Sequence, residues 1–276
     1  MAERIDLREC LNAISDVVNN RPRPLREFDQ IYMKTADMLL QTEHISRRLN
    51  ERRVVFIGDG DAIALCLVHL RNSKLLAHGP KSAHVLDFDE RIVLSVRKFA
   101  DRFGISDQVT SELYNVSDPL PEKYWQHFEG FYTNPPFGSH NEGRSVQAFL
   151  TRGIEAVGKD AIGCLVVADY PDYPWTQNVL LATERSVVQN GFVISEVLPE
   201  FHHYHLDDAP DLTSCGMVIR RLEYSPSAYN SKPLSDADLD NFYGDGKHLS
   251  VRYVRDLTNG GKLGSRDHVM EPLKGA

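Results

Sequence analysis

Three observations place this chain in the α/β class, as a mostly parallel seven-stranded sheet with helices on both faces and a C-terminal antiparallel strand pair. Short, wholly apolar runs such as Val54-Val55-Phe56-Ile57 alternate with segments of helical apolar spacing. Strands of that kind are buried on both faces, as in a parallel sheet covered by helices. The runs end in polar turns that carry glycine, proline or acids: Gly58-Asp59-Gly60-Asp61, Asp87-Phe88-Asp89-Glu90 and Asn134-Pro135-Pro136-Phe137. Two later runs, 192–198 and 215–222, have no helical segment between them, the mark of an antiparallel pair.

The elements follow in order. Residues 1–20 read as an amphipathic helix with Ile5, Leu7, Leu11, Ile14, Val17 and Val18 on one side. The RPRP at 21–24 stops it, because proline cannot continue a helix interior. A second helix is expected at about 33–50, a strand at 54–57 and a helix at 62–70. Next come a strand at 83–86, a helix reaching Phe103 and a third strand ending at Tyr114-Asn115. A strand at 130–133, a helix at 143–157, a strand at 162–168 and a helix at 176–189 precede the closing pair. Beyond Tyr224 the periodicity weakens. The organisation is therefore an N-terminal helical segment (1–50), a catalytic domain (51–224) and a C-terminal extension (225–276).

Composition narrows the partners. The 276 residues carry a net charge of −8, with 42% hydrophobic and 25% charged residues, the balance of a globular protein. An acidic chain argues against general nucleic-acid binding, which rests on Lys and Arg at phosphates. Cys10, Cys66, Cys164 and Cys215 are widely spaced and form no CxxC pair, which fits a reducing, cytoplasmic setting. The start MAERIDLREC has no apolar leader core, and no run approaches the roughly 18 apolar residues of a membrane span.

In open parallel sheets, ligands sit at the carboxyl ends of the strands, so the polar turns are the candidate site. Gly58 lets the backbone turn sharply. Asp59 and Asp61 repel a phosphate and suit a cationic ligand; alternatively one of them caps the next helix. The loop is neither GxGxxG nor GxxxxGK[ST], which argues against NAD or ATP. Asp89 stands where a carboxylate can take both ribose hydroxyls, although Asp87 or Asp89 also suits the N-cap of the helix that follows. Asn115, at the end of the third strand, offers an amide to an adenine edge. At Asn134-Pro135-Pro136-Phe137 the missing proline N–H groups leave free carbonyls beside an amide, an arrangement that can hold an amine by its N–H and aim its lone pair. Tyr132, Tyr170, Tyr173 and Trp175 are aromatic neighbours of strand ends, suited to a sulfonium or polyamine box or to a packed core. His203 and His205 of FHHYH (201–205), with Asp207 and Asp208 nearby, face one side of an extended segment as metal ligands or simply as polar surface.

Taken together and in order, REFDQIYMKTADML (26–39), VVFIGDGDAIAL (54–65), HVLDFDERIVLSV (84–96), YNVSDPLPEKY (114–124), FYTNPPFG (131–138), QAFLTRGIEAVG (147–158) and NGFVISEVLPEF (190–201) resemble the branched-chain polyamine synthases. These are S-adenosyl-type transferases of the Rossmann-like class I methyltransferase fold. The resemblance implies transfer of an aminopropyl group from decarboxylated S-adenosylmethionine to an amine of spermidine or a related polyamine, with no metal. It assigns Gly58, Asp59, Asp61, Asp89 and Asn115 to the nucleoside donor. Asn134, Pro135 and Asp59 take catalytic roles, and Asn134, Phe137, Tyr132 and Asp169 face the acceptor. It also implies an N-terminal winged-helix-like region, for which the residues before Arg26 are too few, and it allows a homodimer.

Departures from the family pattern are specific. GDGD stands for a GDDD-like loop, so an acid is missing at Gly60. Asn134 and Phe137 stand where the family has DPPY, and asparagine cannot act as a base. GSHNEGRS (138–145) has no counterpart in the pattern. NPPF is also the form found in amino-directed S-adenosylmethionine methyltransferases. An N-methyltransferase reading is therefore the alternative, with RRLNERR (47–53) as its acceptor surface, and an inert nucleoside- or polyamine-binding protein is the third.

Overall fold

The computed structural model describes residues 6–207, 209–244, 246–258 and 267–273. The start of the expected first helix (1–5), Asp208 and parts of the extension (245, 259–266 and 274–276) lie outside the described residues. The sheet consists of β1 (Arg53–Ile57), β2 (Ser82–Asp87), β3 (Val109–Leu113), β4 (Phe128–Thr133), β5 (Val157–Ala168), β6 (Phe192–His203) and β7 (Thr213–Arg221). Their order is β3-β2-β1-β4-β5-β7-β6. The β1–β2, β2–β3, β1–β4 and β4–β5 pairs are parallel, and β7 runs antiparallel to both β5 and β6. This is the Rossmann-like class I methyltransferase arrangement.

Alternation along β1 explains the two layers. Val54 and Phe56 join a core with α1 (Leu7–Asn20), α2 (Thr35–Arg48), α3 (Ile63–Asn72) and α4 (Glu90–Phe103). Val55 and Ile57 point the other way, into a core with α5 (Arg144–Ala156) and α6 (Pro174–Gln189). Local signals set the helix ends. Asp6 accepts from the Arg8 and Glu9 N–H groups at the start of α1, and α6 begins with Pro174 in its first turn.

Two elements differ from expectation. β5 begins at Val157 rather than 162, taking in the polar residues Lys159 and Asp160 at an exposed strand end. β6 runs on to His203 through an irregular register between Leu198 and His202, where Pro199 withholds an N–H and Glu200 adopts φ 48°.

The extension is structured. It contains α7 (Asp236–Leu239), β8 (Val251–Asp256) and β9 (His268–Pro272), the last two an antiparallel pair. Val254 N–H donates to Phe88 O at 3.1 Å, and Asp256 N–H to the Glu90 carboxylate at 3.0 Å. The extension thus lies across the carboxyl end of β2.

Candidate active site

A cleft opens at the carboxyl ends of β1, β2, β3 and β4, enclosing about 780 Å³ of space open to solvent. Its floor is the turn after β1. Gly58 has φ +69°, and a Cβ there would lie 2.9 Å from the Phe149 ring, so only glycine fits.

Asp59 and Asp61 both line the cleft, but each is already satisfied by the protein. Asp59 accepts from the N–H groups of Ile63 (2.8 Å) and Ala64 (2.9 Å), closing the start of α3. Burial pushes its carboxyl up to about 7 against the pull of those two bonds. Asp61 Oδ1 accepts from Met33 N–H at 2.9 Å and pairs with Arg21 Nη1 at 3.2 Å; its Oδ2 accepts from Asn134 Nδ2 at 2.9 Å. Burial raises the Asp61 carboxyl, and Arg21, the Met33 N–H and the Asn134 amide pull it back. Of the two readings offered for these acids, Asp59 takes the helix cap; Asp61, expected open to an ammonium group, is instead half of a buried ion pair with Arg21.

The acid at the end of β2 that faces the cleft is Asp87, not Asp89. Asp89 is fully buried as the N-cap of α4, with Arg91 and Gln30 covering its oxygens. Asp87, the last residue of β2, lines the cleft and accepts from the N–H groups of Asp59 (3.1 Å) and Asp89 (2.9 Å). Burial pushes it up to about 7, aided by neighbouring Asp89.

Asn115 reaches the cleft wall, but its side chain is engaged. Nδ2 donates to Arg252 O at 2.6 Å, and Oδ1 accepts from Ser117 N–H at 2.9 Å. Asn134, Pro135 and Phe137 line the cleft beside Asp61. Two other expected acceptor residues do not reach it. Tyr132 is fully buried in the core against Phe56. Asp169 accepts from Gln177 Nε2 at 3.0 Å and Glu200 N–H at 3.1 Å, apart from the cleft.

A second cavity of about 1620 Å³ adjoins the first, with Phe28, Asp29, Ile31, Phe137 and Tyr243 common to both. Trp175 borders it, as do Ser139 and His140 of the 138–145 segment. Tyr170 and Tyr173 pack edge-on against each other instead, outside both cavities, so the expected aromatic box does not form. His202 is buried between Ser214 Oγ (2.9 Å) and Gln41 Oε1 (2.8 Å); burial, together with nearby His44 and His203, lowers it to about 3. His203 pairs with Asp37 at 3.2 Å, and among the described residues no group of three His, Cys, Asp or Glu side chains is arranged to hold a metal.

Sequence reasoning missed the strap. Residues 21–34, irregular apart from a 3-10 turn at Arg26–Phe28, contribute Phe28 to Tyr32 to the cleft wall. Phe28 packs edge-on against Phe88 (5.2 Å between centroids) and against Tyr243 of the extension (5.3 Å). RPRP was the available signal, since it forbids a helix. The 47–53 stretch lies at the opposite, amino-terminal edge of the sheet. Its arginines pair with Glu43, Glu196 and Glu129 or bond the Glu129 and Asp160 carbonyls, and none of its residues lines either cavity.

A family model of the branched-chain polyamine synthase A C-terminal domain matches residues 9–231. The chain belongs to the branched-chain polyamine synthase family. An uncharacterised protein of Methanocaldococcus jannaschii is 30% identical over 198 residues, covering 71% of this chain and 46% of that protein. The N(4)-bis(aminopropyl)spermidine synthase of Thermococcus kodakarensis is 27% identical over 203 residues, 71% of this chain and 53% of that enzyme. The chain thus spans about half the length of the curated relatives it matches. The crystal structure of the C9 mutein of the Thermus thermophilus branched-chain polyamine synthase, in complex with N4-aminopropylspermidine and 5′-methylthioadenosine, shares the fold. The TM-score is 0.68 at 22% identity, over 86% of this chain and 70% of that one. The family match ends at residue 231, and Tyr243, beyond it, also lines the cleft. Among the described residues, no helix is long and apolar enough to cross a membrane.

Proposed function

We propose that the cleft transfers an aminopropyl group from decarboxylated S-adenosylmethionine to an amine of spermidine or a related polyamine. One observation carries this reading: Asp29, Asp59, Asp61 and Asp87 line the cleft, and no Lys, Arg or His is among its described lining residues. Such a wall offers no cation to receive the carboxylate that distinguishes S-adenosylmethionine from its decarboxylated form. The Thermus relative's complex with a nucleoside thioether and a branched polyamine fits the same chemistry.

In this reading the nucleoside lies over Gly58, with its ribose toward Asp87 and its base toward the wall at Tyr114, Asn115 and Val116. The amine sits at Asn134, whose amide oxygen and the carbonyls of the diproline corner accept its N–H groups. The nitrogen lone pair attacks the carbon next to the sulfonium. A C–N bond forms, the C–S bond breaks, and sulfur keeps the electron pair as methylthioadenosine. Positioning, rather than strong base catalysis, lowers the barrier.

Methyl transfer from S-adenosylmethionine is the rival, and an inert binding protein the third reading. Mass spectrometry of spermidine incubated with each donor separates them. The expected product gains an aminopropyl group with the decarboxylated donor. A methylated product, or none, overturns the proposal.

A further inference from the structure

The diproline corner has an unusual charge balance. Two of its positions carry no charge: residue 134 is an asparagine and residue 60 a glycine. The remaining acid beside the corner, Asp61, is bound by a cation from another segment. Arg21, which follows α1, places Nη1 3.2 Å from Asp61 Oδ1 and 3.4 Å from the Asp61 carbonyl oxygen. Its guanidinium lies 4.3 Å above the Tyr32 ring, so both partners are buried and fixed.

The other Asp61 oxygen accepts from Asn134 Nδ2. A carboxylate can only accept, so the amide turns its NH2 toward Asp61 and leaves Oδ1 as an acceptor. The other titratable groups around the pair are Asp59 on the same turn, Tyr32 from the strap, Cys66 from α3, Tyr132 from β4 and Tyr204 after β6. Burial keeps the phenols and the thiol protonated and pushes the Asp59 carboxyl up, toward its neutral form. Arg21 and Asp61 therefore cancel, and no full negative charge remains at the corner to hold an ammonium.

We propose, resting on the functional reading above, that Arg21 is a positioning residue for the acceptor: by neutralising Asp61 it lets the attacking amine bind at Asn134 Oδ1 as the free base. The chemistry then balances without a carboxylate base. The alkylammonium gives its proton to water on binding, and the neutral nitrogen attacks the sulfonium. The products are a neutral thioether and a cationic, alkylated ammonium. This supplies what asparagine at position 134 cannot.

The test reads the bound amine directly. Spermidine labelled with 15N is titrated by NMR in its complex with the full chain and methylthioadenosine. In the wild-type complex one nitrogen is expected to titrate at least one pH unit below its value in free spermidine. Arg21→Gln should abolish that shift, Arg21→Lys should keep it, and the double variant Arg21→Gln/Asp61→Asn, neutral again, should restore it. Restoration separates charge balance from a packing defect, which the second substitution would not repair. Nitrogens that all titrate at or above their free values in the wild-type complex overturn the proposal while leaving aminopropyl transfer intact. So does an unchanged shift in Arg21→Gln. Failure of spermidine to bind the nucleoside complex, with no aminopropylated product, overturns the functional reading and this inference with it.

Discussion

The ring of Tyr32 fills the space toward which a side chain on residue 60 would point. A Cβ on Gly60 would come 3.2 Å from Tyr32 Cε1. Tyr32 is itself pinned, its hydroxyl donating to Pro22 O at 3.1 Å and its face covered by Arg21. The missing acid of the GDGD turn therefore coincides with an occupied position, not a vacant one.

Gly60→Ala should destabilise the protein by about 1 kcal/mol, the range of modest overpacking. In a Tyr32→Ala background the same substitution should cost less, because the ring it strikes is gone. Urea unfolding of the four proteins measures the coupling. An equal cost in both backgrounds would show that the ring is not what excludes a side chain at position 60.

The buried acids give a pH prediction with a defined sign. Asp59 has its folded pKa pushed up to about 7, against about 3.9 in an unfolded chain. Between those values the native state holds a proton that the unfolded state has released. Its contribution to stability is thus present at the acid end and lost as pH rises toward 7. His202 and His84, lowered to about 3 and about 4, act in the opposite sense below about 6.5, so the total curve mixes both. The difference against Asp59→Asn isolates the acid. Denaturant unfolding at pH 5 and pH 8 should give a wild-type-minus-variant stability gap that is larger at pH 5; a constant or growing gap refutes it.

Asn134 should separate chemistry from binding. Asn134→Ala removes the amide that faces the cleft, so kcat for product formation should fall about ten- to a hundredfold, as expected for a lost positioning contact. The Kd for methylthioadenosine, measured by calorimetry, should stay within about twofold. Asn134→Asp instead sets a second carboxyl where the amide now meets Asp61 Oδ2 at 2.9 Å. Like charges at that distance keep one proton between them. The melting temperature of this variant should therefore drop below wild type by more at pH 8 than at pH 5.

How far the site is legible in sequence depends on whether its contacts are local. The apolar run 54–57, the glycine at 58 and the diproline turn are strand-end features, and strand ends in such a sheet face the ligand. Asp87 against Asp89 is a question of two residues along the chain: both suit a cap, and only the position of α4 decides which is turned inward. Arg21 carries no local signal at all, since its partner is Asp61, 40 residues on. The extension is similarly hidden. VRYVRD at 251–256 mixes charged and apolar residues, and what holds it is the rim it meets: Phe88 O, Glu90 and Asp118.

That rim makes Asn115 decisive for the extension. Its Nδ2 donates to Arg252 O at 2.6 Å from a fully buried position, while Arg252 pairs with Asp118 at 2.9 Å on the more exposed side. A buried hydrogen bond of this kind contributes about 1–2 kcal/mol, more than an exposed ion pair. Asn115→Ala should therefore loosen β8 selectively. Hydrogen exchange at residues 251–256 should quicken about ten-fold or more while exchange in β1 and β4 stays slow. Asp118→Ala, removing only the solvent-screened partner, should change it less. If Asn115→Ala instead left β8 protected and only weakened methylthioadenosine binding, the amide would belong to the nucleoside site rather than to the docking of the extension.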